Sequence, residues 1–204
     1  AGGLALEMVT RNKQFKVGIQ SMNKEESQGV YTKAIISPYK KMPYFFQVEH
    51  SNITQSQEML RFSAKKLEDS EDELESTVNY KPSNEVAFDG WALGFYYGDE
   101  EGKTEGVNVM VRWNVVRPTL ENLLGKVNGI SLHTSTVEDM KGTAENFLDM
   151  WKGSDPKKIN IETGRTPTGL YKFFVSTVNT LEIDKYGFSD PDKAMKGIMS
   201  TRKQ

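Results

Sequence analysis

Between Gly106 and Pro118 the chain alternates apolar and polar positions. Val107, Val109, Val111, Trp113 and Val115 fall on one side; Asn108, Met110, Arg112, Asn114 and Val116 fall on the other. A period of two held over about ten residues predicts a β-strand with one buried face, and makes Val111 a core position. The preceding stretch, Val86 to Asp99, alternates through Trp91, Leu93, Phe95 and Tyr97, and the glycine- and charge-rich GDEEGKTEG joins the two. Together they read as an antiparallel hairpin packed on one side.

The same logic predicts strands around Phe15, Val17 and Ile19, over Tyr31 to Ile36, from Tyr44 to His50, through Leu60, Phe62 and Ala64, and over Thr77 to Tyr80. The acidic run Asp69 to Glu75 reads as a solvated loop or short helix. After Pro118 the texture changes. Thr119 is placed to cap a short helix stopped by Gly125, and Ile130, Leu132 and Thr134 alternate as a strand. Thr136 opens an amphipathic helix to Gly153, with Val137, Met140, Ala144, Phe147, Leu148 and Trp151 on one face. KINIET and LYKFFVSTVNTLEI read as further strands, and Asp190-Pro191 as the start of a closing helix. About eight to ten strands with a few connecting helices predict a mainly β fold, an antiparallel β-sandwich of jelly-roll type. Residues 1–204 read as one such domain, with an N-terminal arm over 1–14 and a C-terminal tail over 190–204.

Composition narrows the chemistry. Cysteine is absent, which removes disulfides, thiolate metal sites and a cysteine nucleophile together. A net charge of −2 gives no electrostatic footprint for duplex nucleic acid, and the lysine doublets at Lys40, Lys65, Lys157 and the Arg202-Lys203 pair are scattered. No apolar run approaches the length of a membrane span, and the first residues lack the apolar core of a signal peptide.

Candidate catalytic groups are few. The two histidines, His50 and His133, lie in predicted strands with no GxSxG or HExxH motif, so no catalytic role is assigned and no cofactor is expected. Glu85 and Asp89, beside Gly90-Trp91, are the best local pair for glycoside hydrolysis, but a strand-edge acid beside a bend is the preferred explanation. Asp99, Glu100, Glu101 and Glu105 are the oxygen ligands a calcium ion would take, without EF-hand spacing; a hairpin tip is charged simply because it is wet. Asn52-Ile53-Thr54 matches a glycosylation acceptor.

The chain starts Ala1-Gly2-Gly3 and stops at Gln204. These ends resemble the products of the chymotrypsin-like cysteine protease of picorna-like viruses, which cuts after Gln and before a small residue. Size, strand-rich pattern and lack of a basic arm are similar to coat proteins of that group, closest in type to plant secovirids with three small coat proteins. The resemblance implies a structural capsid subunit, not an enzyme. It would be released from a polyprotein and located in the virion. Its partners would be sister coat proteins and, weakly and without sequence specificity, genomic RNA. On that reading the apolar ends are assembly contacts: Ala1, Leu4 and Leu6 at the start, and Met195, Ile198 and Met199 at helical spacing near the end. The alternatives are a soluble β-sandwich binding module, using Trp91, Tyr96, Tyr97 or Trp113 to stack on a glycan, and a jelly-roll movement protein.

Overall fold

The structure, a computed structural model, describes residues 1–50, 58–62, 74–136, 143–176 and 178–201. The predicted glycosylation acceptor, the Lys65 doublet, Ala64, most of the acidic run, Val137, Met140 and the Arg202-Lys203 end lie outside them. The chain forms two compact units, Ala1–Lys152 and Gly153–Gln204.

The first unit is built on a five-stranded mixed sheet. Its strands are β1 (Lys16–Gln20), β2 (Met59–Phe62), β3 (Ser76–Tyr80), β4 (Phe95–Gly98) and β5 (Ile130–His133), in the spatial order β2-β3-β1-β4-β5. β1 runs parallel to both β3 and β4, β4 is parallel to β5, and only β2 is antiparallel to its neighbour. The expected antiparallel jelly-roll sandwich is therefore overturned: the protein is α/β, with helices against the sheet. Central β1 shows why. Val17 and Ile19 are buried on one face and Gln20 is fully buried on the other, the signature of a parallel strand covered on both sides.

One face is covered by helices from the first 41 residues. α1 (Gly2–Arg11) turns Ala5, Leu6 and Val9 into the core, so the segment expected to be a free arm is packed. α2 (Lys24–Tyr31) starts at Asn23, whose side chain accepts the Glu26 N–H, with Glu25 and Glu26 favourably placed in the first turn. It continues without a break through a π-helical turn, Thr32–Ile36, into α3 (Ser37–Lys41). The predicted strand over Tyr31 to Ile36 is this helix. Its β-branched residues read as strand locally, but Ser27, Tyr31, Ile35 and Tyr39, four apart, form one buried stripe across all three segments. The widened turn has a local cause. Pro38 has no N–H to give the Ala34 carbonyl, four residues back, so the helix loosens there. Gly2 passes so near that carbonyl that a Cβ on it would lie 2.2 Å from the oxygen.

The opposite face is covered by Phe88, Leu93 and α4 (Val109–Thr119). This helix replaces the strand expected from the alternation at 107–115. Val109, Trp113 and Val116 recur at four and three residues and are buried together with Arg112, while Val111 is 44% exposed. Asn108 caps the start, its side-chain oxygen accepting from Met110 and Val111 N–H, and Pro118 falls in the last turn. Thr119 ends this helix rather than capping another; the following residues make a turn at Gly125, closed by a Glu121–Val127 bridge. The expected hairpin is likewise corrected: only Phe95–Gly98 of its first arm is strand, and that strand pairs in parallel. Tyr44 to Phe46 is a short 3₁₀ turn rather than a strand. α5 (Thr143–Gly153) closes the unit.

The second unit contains α6 (Val178–Leu181) and α7 (Pro191–Thr201). Among the described residues the strands expected in KINIET and LYKFFVSTVNTLEI are absent: 161–163 is a turn, 171–176 has no regular structure and 178–181 is α6. α7 begins as its sequence suggests, with Pro191 first and the Asp190 carboxylate accepting the Lys193 N–H.

The helix assignment yields a direct test. Val111→Asp is expected to cost under about 1 kcal/mol, as an exposed surface change, whereas Val109→Asp puts an unpaired charge in the core and costs several kcal/mol. Urea denaturation of both variants measures this; equal, large losses would restore the strand register.

Candidate functional site

The carboxyl ends of β1, β3, β4 and β5 lie along one edge of the sheet, and chain order reverses across β1, which separates β3 from β4. Such switch points are where open α/β sheets gather polar side chains. Here the gathering is a buried ion network.

Gly98 ends β4, and Glu100, at φ 49°, turns the chain back so that Glu101 lies against the strand end. A Cβ at Gly98 would sit 2.0 Å from the Glu101 Oε1, so only glycine fits. The Glu101 carboxylate takes Arg112 Nη2 on Oε1 at 3.0 Å and pairs His133 Nδ1 with Oε2 at 2.8 Å. These side chains are 2%, 1% and 8% exposed respectively. Arg112 Nη1 donates to Ser83 Oγ, beyond β3. The His133 ring is clamped edge-on by Trp113 at 4.9 Å and lies 5.5 Å from Tyr96. The Tyr96 hydroxyl donates to Gln20 Oε1, and the Gln20 amide donates to the carbonyls of Pro82 and Asn84. Every parallel strand end is thus tied to its neighbours by side-chain hydrogen bonds.

Electrostatics follow from burial. Burial alone would raise the Glu101 pKa, but His133 and Arg112 outweigh it and hold the carboxyl below its ordinary range. Burial pushes the Tyr96 phenol well up. A shallower cluster lies alongside: the Tyr97 and Thr134 hydroxyls both donate to Asp99 Oδ1, at 2.7 and 2.8 Å, and burial pushes the Tyr97 phenol up to about 12. Among the described residues, the buried atoms lacking a partner are Thr104 Oγ1, Arg112 Nε and His133 Nε2. The imidazole is thus enclosed by rings, and its carboxylate partner is sealed from water.

Other sequence candidates separate. Glu85 accepts the Asn108 N–H beside the cap of α4, while Asp89 is exposed, so the two do not act as a pair. The four acids of GDEEGKTEG diverge: Glu101 is sealed, Glu105 is in water, and Glu100 accepts from Thr136. No group of three or more potential metal-ligating side chains forms among the described residues. Tyr96 and Trp113 are core residues, closing them to sugar stacking. His50 is exposed, edge-on to Tyr39. The two networked charges were missed because Glu101 read as a wet loop tip and Arg112 as the polar face of a strand. The available signal was an arginine inside the apolar run VMVRW, which demands a buried partner.

The expected assembly contacts fall in different environments. Ala1 and Leu4 are exposed on α1, whereas Leu6 belongs to the core. On α7, Met195 and Met199 are exposed and Ile198 is half-buried; Ala194 alone points fully inward. Residues 159–199 expose twelve large apolar side chains, among them Phe173 (82%), Phe174 (67%), Tyr186 (73%) and Phe188 (73%). In the same unit Ala194 is the one buried apolar side chain among the described residues.

The sequence matches no protein-family model and no curated protein.

Removing the Glu101 charge would strand Arg112 in the interior, so Glu101→Gln is expected to cost about 3–5 kcal/mol. The linkage has a definite sign. With its folded pKa below the ordinary 4.5, Glu101 contributes fully above that pH, and the contribution is lost as pH falls through the folded value. Stability measured against pH should therefore show a flatter acid limb in Glu101→Gln than in the parent; identical slopes would remove Glu101 from acid unfolding.

Proposed function

We propose that this protein is a structural subunit that works by docking its carboxyl-terminal unit on other polypeptide chains. One observation carries this: among the described residues of the unit beginning at Gly153, twelve large apolar side chains are exposed and Ala194 is the one apolar side chain that is fully buried. Ordering a residue costs about 1–2 kcal/mol of backbone entropy, which a unit of this size offsets only by burying apolar area. Monomers rarely expose contiguous apolar patches beyond a few hundred Å²; larger ones mark interaction sites. Phe, Tyr and Met, abundant here, are also the residues enriched at the centres of interfaces.

Two earlier expectations are carried differently. The coat-protein type implied a jelly roll, which this α/β sheet is not, so the shell reading is not renewed; assembly with sister chains is what the surface supports. The partner chemistry that suits exposed Phe, Tyr, Ile and Met is an apolar protein surface rather than a polyanion.

Sedimentation of the full chain should show association rising with concentration through the micromolar range. Phe173→Ser with Phe188→Ser should shift it toward the 23.1 kDa monomer while circular dichroism of the sheet unit is unchanged. A parent that stays monomeric at high concentration, or that instead partitions onto lipid vesicles, would sink the proposal.

A further inference from the structure

We infer that the subunits join by strand addition: residues 171–176 of one copy pair along the open edge of β5 in a second copy. This rests on the assembly reading above, and adds the partner and the mode.

The acceptor is an unfinished sheet edge. β5 is the last strand in the order, with β4 as its single strand neighbour among the described residues. Ile130 N–H and Thr134 N–H donate to the carbonyls of Gly94 and Gly98 on the β4 side. A strand's hydrogen-bonding groups alternate in direction, so Ser131 and His133 turn theirs outward. Ile130 and Leu132 stand opposite Phe95 and Tyr97 and share their face, yet are 45% and 39% exposed. An edge with unpaired amides and exposed aliphatic side chains is a template for another strand.

The donor is a strand without a sheet. Tyr171, Lys172, Phe173, Phe174, Val175 and Ser176 combine aromatic and β-branched residues of high strand propensity, and 171–176 is irregular. Phe173, Phe174 and Val175 are 82%, 67% and 55% exposed, and no backbone hydrogen bond joins these three to any other described residue. Laid beside β5, Tyr171, Phe173 and Val175 fall on one face and Lys172, Phe174 and Ser176 on the other. The first set extends the apolar stripe of Ile130 and Leu132; the second continues the face of Ser131 and His133.

Two observations select a second copy as the occupant. Ile130 and Leu132 of the acceptor and Phe173, Phe174 and Val175 of the donor are all exposed. The units also differ in sign: residues 1–152 carry 17 Lys/Arg against 22 Asp/Glu, a net of −5, while residues 153–204 carry 9 against 6, a net of +3. Charge complementarity steers the carboxyl-terminal unit of one chain to the amino-terminal unit of another and disfavours like-to-like contact. The contact is heterologous, so it builds rings or open chains rather than a closed two-fold pair.

The absence of cysteine allows a direct test on the full chain. Single-cysteine variants S131C, F174C, S176C and V175C are purified and oxidised after mixing in pairs. Mixtures of S131C with F174C or S176C are expected to give an intermolecular disulfide, and S131C with V175C, on the opposite face, little or none. Phe174→Pro, which removes a strand N–H without touching the sheet unit, is expected to weaken self-association about tenfold or more. An associating parent with no S131C cross-link and an unweakened F174P would overturn strand addition while leaving the assembly reading standing. A disulfide that forms within single chains of the S131C/F174C double variant at high dilution would overturn the second copy as occupant. A parent that never associates would overturn both.

Discussion

A carboxylate cannot be buried unless its charge is met, and Glu101 is where this fold answers that requirement. Its two oxygens take one group from α4 and one from β5, while its own backbone leaves β4. Arg112 therefore sets the rotation of α4 about its axis, which brings Val109, Trp113 and Val116 onto the sheet and turns Val111 outward. The histidine and aromatic rings fill the remaining space, and Gln20 extends the tie to β1 and the loop beyond β3. Hydrophobic burial supplies the bulk of the stability on this face; the ion network decides which arrangement of it is adopted.

Against that body with its own hydrophobic core, the carboxyl-terminal unit is a different case. Its polar groups are organised locally, as in the Ser154–Thr168 hydroxyl pair and the Asp184 turn, but its apolar groups are not. Local hydrogen bonds shape a chain without stabilising it much, because water offers comparable partners. The contrast is physical: the apolar groups of one unit build an interior, and most of those of the other face water.

Much of the sheet was legible. Period-two patterning located β1, β2, β3 and β5, because short strands flanked by turn residues carry that signal directly. Asp190-Pro191 marked the start of α7 for equally local reasons. The overturned segments share a cause. VMVRWNVVR satisfies a period of two and a period near four, and the strand reading spent Arg112 on a solvent face where the helix needs it inside. Thr32 to Ile36 has the side chains of a strand and the stripe of a helix, and tertiary burial chose the stripe. Once these two were read as strands, a sandwich followed, and the network of Glu101, Arg112 and His133 could not be assembled. Parallel pairing itself left a readable trace in β1, where past Lys16 the alternate positions are Val17 and Ile19 on one side and Gly18 and Gln20 on the other, neither a solvated set.

The π turn ahead of Pro38 also bears on how this chain tolerates changes of length. Such a turn houses about one residue more than an α-helical turn would, and it stands between two stretches of a single buried stripe. Losing one residue there would let the helix wind regularly with its flanking turns in place, whereas the same extra residue wound into a regular helix would rotate everything after it by roughly 100°. Tyr39, whose hydroxyl is bonded to the Val48 carbonyl and whose ring meets Phe62 edge-on, would swing off the sheet. Related chains that lack the extra residue should therefore also lack a proline at this place and still carry a side chain over β2 where Tyr39 stands. In a lineage, the insertion and the proline would travel together.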